Sequence, residues 1–335
     1  MIQMDEYQKE IETGIEAVRQ AALLCRAVQE TVGEEVLAKK DRSPVTVADF
    51  GSQALICRSL ALSFPVDSVI GEEDSRALVD ENNSDIRKRL VSRVRNILPS
   101  DTVPPASDEE ILSWIDRGSS REYQDRFWTL DPIDGTKGFL RGGHYAIALA
   151  LIVKGELQAA VLGCPNLYMA NGRSGEKGSC FFAVKGGGSY CVPLFGQGEP
   201  RPVGVSEVGE SRSIRFCESY EAAHSSHEDA DALAKLLGIE ADPVRIDSQA
   251  KYAMVARGEG EVYLRLPRGE EYREKIWDHA AGALVVTEAG GKVTDIFGRK
   301  LDFTHGRNLE MNRGVIATNG ILHDRIIDAL KKVRG

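Results

Sequence analysis

Three short segments, far apart in the chain, each carry carboxylates next to small or polar residues. They occupy residues 71–74, 131–136 and 277–282. In the middle segment Asp131 and Asp134 flank a proline. Hard divalent cations such as Mg²⁺ are bound by a few carboxylate oxygens together with water and phosphate oxygens. Carboxylates paired in this way can hold two such ions, an arrangement suited to breaking phosphoester bonds.

Predicted strands lead directly into two of these segments. A short apolar strand precedes Glu72, and a second one, at residues 127–130, ends at Asp131. The carboxyl ends of strands are the usual location of functional sites in α/β proteins. We therefore expect Glu72, Asp131 and Asp134 to meet around metal ions, with the Ile133 carbonyl as a further ligand.

The same acids also have structural interpretations. Asp134 and the two residues after it could cap a helix, and the acidic run that begins at Glu72 could be a solvated turn. The dense clustering of ligand-type side chains favours metal binding. Glu72 is the better ligand of its run, whereas Glu73 is expected to bind through water or to orient the nucleophile. Thr136 would lie near the substrate, and the amides after Gly135 could receive a phosphate oxygen.

Two further aspartates could either cap a helix or take part in the metal site. Asp278 begins a helix predicted at 277–288, where an acid in the first turn is common. Small residues in that helix allow close packing, which would push Asp278 into a shared site, while the adjacent His279 is expected to be structural. Asp49 could cap a helix predicted at 47–63, or it could accept the proton of a metal-bound water.

The composition is that of an ordinary soluble protein and restricts the partners. The 335 residues carry a formal net charge of -9, which argues against nucleic acid or an anionic membrane as the main partner. Bound divalent ions reverse the local charge, so a small phosphate ester is still a suitable substrate. We expect a monomer that binds a small molecule.

The cysteines and the start of the chain indicate a reducing compartment. The 6 cysteines are widely spaced, and the first residues contain no basic and apolar signal sequence. No apolar run is long enough to span a bilayer. We expect free thiols and an intracellular, cytoplasmic location. An organellar protein whose leader is absent from this sequence remains an alternative.

Hydrophobic periodicity divides the chain into helices and strands. A change of composition at 197–202 predicts a boundary between an N-terminal α+β subdomain, residues 1–198, and a C-terminal α/β subdomain, residues 199–335. Alternating strands and helices in the second part favour a layered α/β architecture. The glycines at 186–188 predict a hairpin turn, and residues 99–109 predict a surface loop. Helices are predicted at 6–32, 47–63, 84–98, 226–237, 249–257, 277–288 and 320–333, and strands at 69–70, 127–130, 146–153, 157–162, 179–184, 189–194, 213–217, 243–246, 261–264 and 314–317.

Longer motifs follow one another along nearly the whole chain. They are GEE at 71–73, DPIDGTKGF at 131–139, WDxAAG at 277–282, SPVTVAD at 43–49, HSSH at 224–227, DSQAKY at 247–252 and YLRLP at 263–267. Through the first three, the chain resembles the inositol monophosphatase-like, lithium-sensitive phosphatase superfamily. The other four resemble its 3'(2'),5'-bisphosphate nucleotidase branch.

The resemblance implies a role for each candidate residue. The metal ligands would be Glu72, Asp131, the Ile133 carbonyl, Asp134 and Asp278. Asp49 and Thr136 would together activate the attacking water. The residues expected to hold the substrate are Gly135, Thr136, His224, Ser248, Lys251, Arg265 and Asp278. The charges of Lys251 and Arg265 agree with this role, because a second phosphate needs cationic partners away from the metals.

The resemblance also implies the fold and the reaction. The expected fold is an alternating αβαβα sandwich with two subdomains. The expected activity is Mg²⁺-dependent, with two or three ions per site and inhibition by Li⁺. It would remove the 3'-phosphate of adenosine 3',5'-bisphosphate to give AMP, and would also act on 3'-phosphoadenylyl sulfate. An inositol phosphate phosphatase and a catalytically silent nucleotide sensor remain alternatives.

Overall fold

A computed structural model of the chain describes residues 6–32, 43–99, 105–169, 175–220, 227–267, 269 and 271–334. The helices are α1 (Gln8–Gln29), α2 (Ser43–Ser63), α3 (Arg76–Val79), α4 (Ser84–Ile97), α5 (Asp108–Asp116), α6 (Thr136–Leu140), α7 (His227–Leu237), α8 (Ala250–Ala256), α9 (Ala280–Glu288) and α10 (His323–Arg334). The strands are β1 (Ser68–Gly71), β2 (Arg126–Asp134), β3 (Ala146–Val153), β4 (Glu156–Tyr168), β5 (Lys177–Val184), β6 (Gly188–Pro193), β7 (Arg201–Pro202), β8 (Phe216–Glu218), β9 (Val244–Arg245), β10 (Val262–Arg265), β11 (Lys292–Thr294) and β12 (Val315–Thr318).

Two sheets alternate with three layers of helices. The first sheet has 7 strands in the order β1 to β7, and the second has 5 strands in the order β11-β12-β10-β8-β9. Helices α1 and α2 cover one face of the first sheet, α8 and α9 lie between the sheets, and α7 and α10 cover the outer face of the second. The predicted αβαβα layering is therefore confirmed.

The strand β3 shows why an uninterrupted apolar run forms a strand in this fold. Its odd-numbered residues, such as Leu149 and Leu151, pack into the core under α1 and α2. Its even-numbered residues, such as Ala148 and Ile152, pack into the core shared with α9. Successive side chains of a strand point to opposite faces, so a strand with both faces covered is apolar at every position.

Helix α9 is apolar on all sides because it lies between the two sheets. Every residue from Ala280 to Val286 is buried. A Cβ atom on Gly282 would lie 2.2 Å from a ring carbon of Tyr252 on α8. Only glycine allows this approach, and the prediction that small residues bring this helix close to another element is confirmed.

Several predicted boundaries are wrong, and some short elements were not predicted. Helix α5 was not predicted and begins at Asp108, at the end of the predicted loop 99–109. A capping box starts it: Ser107 accepts from the amide of Glu110, whose side chain accepts from the amide of Ser107. Helix α2 includes residues from Ser43, ahead of the predicted start at 47, and α9 begins at Ala280 rather than at 277. The short strands β7 and β11 were not predicted.

The remaining predictions on the chain as a whole have mixed outcomes. All six cysteines are free and buried. Within the described part of the chain, no helix has the length and apolar character needed to cross a bilayer. The subdomain boundary at residue 198, the monomeric state and the cytoplasmic location stay predictions.

Candidate active site

An irregularity at the end of β2 allows two aspartates to face the same cleft. Asp131 and Asp134 would point to opposite faces of a regular strand. The pairing with β3 shifts between these two residues, where Pro132 cannot donate a hydrogen bond to the sheet. Gly135 follows with φ of 90°, and a Cβ atom there would lie 2.8 Å from the Cβ of Ser248. The turn between β2 and α6 therefore requires the glycine, and the break in pairing accommodates the proline.

Helix α2 holds the Glu72 segment next to Asp49. The buried side chain of Gln53 donates to the carbonyl oxygen of Glu73 at 2.6 Å and accepts from the Glu73 amide at 3.1 Å. Asp49, one turn earlier in α2, is 9% exposed, and its charge interacts with those of Glu72 and Glu73. Asp49 lies in the interior of α2, so the helix-cap interpretation is wrong. Sequence analysis missed Gln53, because a lone amide carries no signal of its partners.

Asp278 lies in the turn that precedes α9. It is two residues before Ala280, so the prediction that it belongs to the first turn of the helix is wrong. Its neighbour Trp277 stacks under the guanidinium of Arg307 at 4.5 Å. Arg307 also donates to the carbonyl oxygen of Glu72 at 3.3 Å. One arginine therefore connects the Asp278 turn with the Glu72 segment.

These elements surround a cleft of about 420 Å³. Its lining includes all five predicted metal ligands, namely Glu72, Asp131, Ile133, Asp134 and Asp278. It also includes the predicted substrate residues Gly135, Thr136, Ser248, Lys251 and Arg265. Asp49 and Glu73 do not belong to this lining, and His224 lies outside the described residues.

Burial and mutual repulsion raise the pKa values of the clustered acids. Asp131 is 2% exposed, and burial raises its pKa well above the ordinary value, with the charges of Glu72, Asp134 and Asp278 adding to the effect. Burial also raises the pKa of Asp278 to about 6, although His279 and Arg265 oppose the shift. Glu72 is exposed on the side that faces the cleft. Loss of hydration within the surrounding protein still raises the pKa of Glu72 to about 8, and repulsion by Asp278 adds to the shift.

A divalent cation fits this arrangement. The Oδ1 atom of Asp131 is buried and has no hydrogen-bond partner among the described residues. A buried carboxylate oxygen without a partner is costly in free energy, and an ion satisfies it. The donor set consists of carboxylate and carbonyl oxygens, which are the ligands that Mg²⁺ prefers. The chemistry of the residues therefore matches the cation that the sequence predicts.

A neighbouring group is less suited to a metal. One ligand atom from each of Glu274, Asp278 and His279 lies within 4.8 Å of the others. Both ring nitrogens of His279 are engaged, Nδ1 with the Tyr252 hydroxyl at 2.7 Å and Nε2 with Glu274 at 3.2 Å. Glu274 also accepts from Nε of Arg265 at 3.2 Å. We assign His279 a structural role, in agreement with the expectation from the sequence.

A small recess shares residues with the cleft and carries two cations. Its lining includes Lys251, Arg265, Ser219 and Tyr263, together with the acid Glu218. Lys251 is 6% exposed, donates to the Ser219 hydroxyl at 2.9 Å, and lies 5.2 Å from the centre of the Tyr263 ring. Burial lowers the pKa of Lys251 to about 8, while the charge of Asp134 opposes the shift. The cleft therefore offers separate places for metal ions and for an anionic group.

Sequence analysis missed further residues of the cleft. Arg141 and Asp247 both line it and form an ion pair of 2.6 Å. Asp247 also accepts from the backbone amide of Tyr220 at 3.2 Å. Lys137 lies one turn before Arg141 and faces the same cleft. Lys137 and Arg141 are four residues apart and directly follow the aspartates of β2 in the sequence. Because residues four apart share one face of a helix, this spacing could have identified them as residues of the cleft.

Comparison with known proteins establishes the family. The model of the inositol monophosphatase family matches residues 6–334. The chain belongs to the inositol monophosphatase family. The resemblance inferred from the motifs is therefore confirmed.

Curated relatives match almost the entire chain. A protein of Emericella nidulans named 3'(2'),5'-bisphosphate nucleotidase is 42% identical, over 98% of this chain and 99% of the relative. A protein of Oryza sativa with the same name is 45% identical, over 97% of this chain and 94% of the relative.

Solved structures of family members share the fold. An IMPase of Thermotoga maritima has a TM-score of 0.64 at 19% sequence identity, over 97% of this chain and 98% of that one. CysQ from Bacteroides thetaiotaomicron, a bacterial member of the inositol monophosphatase family, has a TM-score of 0.60 at 19% identity, over 93% of this chain and 97% of that one. At these identities the likeness shows the fold alone.

The acidic cluster predicts that this family member, without metal, loses stability as the pH rises. A carboxyl group whose pKa is higher in the folded chain retains a proton that the unfolded chain releases. Its stabilising contribution is complete below the unfolded pKa and is lost as the pH rises through the folded pKa. For Glu72 this window extends from 4.5 to about 8. Burial lowers the pKa of His323 from 6.5 to about 4. Its contribution to stability is therefore lost as the pH falls below 6.5, which is opposite to the effect of Glu72.

Thermal unfolding in EDTA tests this prediction between pH 6.5 and about 8, where the Glu72 effect is not opposed by His323. We expect the Tm to fall over this range. Mg²⁺ should reduce the fall, because a cation held by the ionised carboxylates would stabilise the folded chain. Glu72→Gln should flatten the dependence in EDTA. A Tm in EDTA that stays constant or rises over this range contradicts the predicted coupling.

Proposed function

We propose that this protein is a Mg²⁺-dependent phosphatase that hydrolyses the 3'-phosphate of adenosine 3',5'-bisphosphate, giving AMP and phosphate. We propose that it also acts on 3'-phosphoadenylyl sulfate. The observation that supports this most directly is the single cleft in which clustered carboxylates and the cations Lys251 and Arg265 share one lining. Relatives named 3'(2'),5'-bisphosphate nucleotidase match nearly the full chain, which supports the choice of substrate.

The metal ligands in this proposal are the residues predicted from the sequence. Carboxylates of Glu72, Asp131, Asp134 and Asp278 would hold Mg²⁺, together with the carbonyl oxygen of Ile133. Two or three bound ions would neutralise the charge of the phosphate and lower the pKa of the attacking water.

The proton of the attacking water would pass to Asp49. Burial, and then the charges of Glu72 and Glu73, raise the pKa of Asp49 well above its ordinary value, which makes its carboxylate a stronger base. Thr136 is exposed to the cleft at the start of α6, where its hydroxyl would orient the water together with Asp49. Backbone amides after Gly135 would donate to the phosphate oxygens, which gain charge during hydrolysis.

The retained 5'-phosphate and the nucleoside would occupy the part of the cleft that Lys251 and Arg265 line. Lys251 and Arg265 supply charge-assisted hydrogen bonds for a phosphate, and Ser248 adds a hydroxyl at the edge of the cleft. Glu274 holds Arg265 in place through the bond to its Nε atom. His224 stays a predicted contact of the nucleotide.

Phosphate release from a small panel of esters tests the proposal. The panel contains adenosine 3',5'-bisphosphate, 3'-phosphoadenylyl sulfate, inositol 1,4-bisphosphate and an inositol monophosphate, each with Mg²⁺, with EDTA, and with Mg²⁺ plus Li⁺. We expect the nucleotides to be hydrolysed fastest, with a requirement for Mg²⁺ and inhibition by Li⁺. Faster hydrolysis of an inositol ester would favour an inositol phosphate phosphatase. Tight nucleotide binding without phosphate release would favour a sensor.

Replacing Arg265 with alanine is predicted to raise KM for adenosine 3',5'-bisphosphate with little change in kcat. The lost contact is to the retained phosphate, away from the reacting phosphorus, so it stabilises the ground state and the transition state equally. A hydrogen bond to a charged group contributes about 1.5–3 kcal/mol, which corresponds to a rise of roughly 10- to 100-fold. Steady-state kinetics should show a much smaller rise with adenosine 3'-monophosphate, which lacks the 5'-phosphate.

Arg215→Ala provides the matched control. Arg215 pairs with the buried Glu261 at 2.7 Å and does not belong to the cleft lining. Both substitutions leave a buried glutamate without its arginine, so both should lower stability. Only the Arg265 variant should change KM. Equal KM values for Arg265→Ala and the unmodified protein would remove Arg265 from the substrate site.

A further inference from the structure

The segment that connects β9 to α8 lies where the acidic cluster joins the two sheets. Asp134 reaches the cluster from the first sheet, at the end of β2. Asp278 reaches it from the turn before α9, between the sheets. Gln249, which is 1% exposed, contacts both of these elements.

The first contact is made by the backbone. The amide nitrogen of Gln249 donates to Oδ2 of Asp134 at 2.5 Å. This bond fixes one oxygen of the carboxylate and therefore the direction of the other.

Two further contacts are made by the side chain. Nε2 of Gln249 donates to the carbonyl oxygen of Trp277 at 2.9 Å, and its Oε1 atom accepts from the amide of Gly282 at 3.3 Å. Trp277 directly precedes Asp278, and Gly282 lies in the first turn of α9. The two polar atoms of the Gln249 side chain therefore bond to backbone groups on either side of Asp278.

The backbone before Gln249 is held in a strained conformation. Ser248 has φ of 71° and, with Lys154, is one of two non-glycine residues with positive φ in the described ranges. Such a conformation costs about 1–3 kcal/mol and persists only where the surrounding structure enforces it. Here Gly135 lies close against Ser248. The left-handed turn directs the amide of Gln249 back toward Asp134.

We propose that Gln249 is a positioning residue that sets the placement of Asp134 relative to Asp278, and with it the affinity of the cluster for a divalent cation. This inference rests on the metal-binding role of these two acids in the proposed function. Mg²⁺ requires near-ideal octahedral geometry, and the two acids come from elements that are joined here through one amide side chain. Partners that orient metal ligands typically change metal affinity by about 10- to 100-fold when they are replaced.

Gln249→Met tests the inference, because methionine has a similar length and volume but loses both side-chain hydrogen bonds. The backbone bond to Asp134 is retained. Electron paramagnetic resonance of free Mn²⁺ measures binding of this ion, as a probe for Mg²⁺, to the full chain without substrate. We expect the Kd for Mn²⁺ to rise at least about tenfold. Gln249→Asn, which keeps the amide but shortens its reach, should show the same direction of change.

Asn319→Leu is the matched control for the loss of a buried amide. Asn319 is buried, donates to the carbonyl oxygen of Val208 at 2.8 Å and accepts from the amide of Leu322 at 3.3 Å. It lies outside the cleft lining, so this variant should lose stability with an unchanged Kd for Mn²⁺.

Three results would overturn the inference, and one of them would also reject the proposed metal role. If the unmodified protein binds Mn²⁺ and both Gln249 variants bind it equally tightly, Gln249 only packs and the metal role of the acids is unaffected. If Asn319→Leu weakens binding as much as Gln249→Met, general destabilisation explains the effect. Should Gln249→Met not fold, the Kd of Gln249→Asn decides. Absence of Mn²⁺ binding by the unmodified protein rejects the proposed metal role itself.

Discussion

Asp134→Ala is expected to reduce phosphate release more than about 100-fold while leaving the fold intact. Replacement of a residue that only orients a metal ligand already costs roughly 10- to 100-fold, and Asp134 is a proposed ligand at the centre of the cluster. Its carboxylate adds to the repulsion that raises the pKa of both Glu72 and Asp131. Removing it therefore relieves repulsion in the metal-free protein, which offsets the loss of the bond from Gln249.

Phosphate release over a range of Mg²⁺ concentrations, together with thermal unfolding, measures both parts of this prediction. Asp324→Ala is the control, because Asp324 is an exposed aspartate paired with Lys292 at 2.8 Å and lies far from the cleft lining. It should keep normal activity. An Asp134→Ala variant that retains near-normal activity at any Mg²⁺ concentration contradicts the role of Asp134 as a ligand.

Asp49→Asn is expected to lower kcat by about 10²- to 10⁴-fold, the usual contribution of a general base. Asparagine has nearly the same shape but cannot accept a proton. Asp49 does not belong to the cleft lining and is not a proposed ligand, so Mg²⁺ affinity should be nearly unchanged. The combination of low kcat and normal Mg²⁺ affinity distinguishes this variant from Asp134→Ala.

Asp67→Asn is the control for the loss of a buried carboxylate. Asp67 accepts from Arg126 at 2.9 Å and from the Trp128 ring nitrogen at 3.0 Å, at the opposite end of β1 from Glu72. This variant should lose stability and keep its kcat. If high Mg²⁺ restores the kcat of Asp49→Asn, Asp49 acts through the metal ions and not as the base.

The pattern of local sequence was enough to predict most elements and the candidate metal ligands of the cleft. Apolar strands that end in acids were predicted at β1 and β2, and the structure brings Glu72, Asp131, Asp134 and Asp278 to one cleft. Such signals are local, because a strand with both faces covered is apolar throughout and a loop after it is polar. Helix α5 was missed because its capping box, between Ser107 and Glu110, was interpreted as part of a polar loop.

Contacts between distant segments were beyond the reach of the sequence. Gln53 and Gln249 are polar residues whose roles depend on partners 20 and 33 residues away. An amide can pair with any exposed backbone group, so its residue type does not specify the partner. The ion pair of Arg141 with Asp247, 106 residues apart, is of the same kind.

By itself, the sequence determined which side chains of this protein can bind a metal ion and an anionic group, since the chemistry of a carboxylate or a guanidinium belongs to the residue. Only the tertiary structure decided that Asp131 and Asp134 face one cleft, that Asp49 lies inside a helix, and that Gln249 connects two of the acids. These outcomes depend on a shifted strand pairing and on buried hydrogen bonds between layers. Such features arise when the packing of two sheets and three helical layers has brought distant segments together.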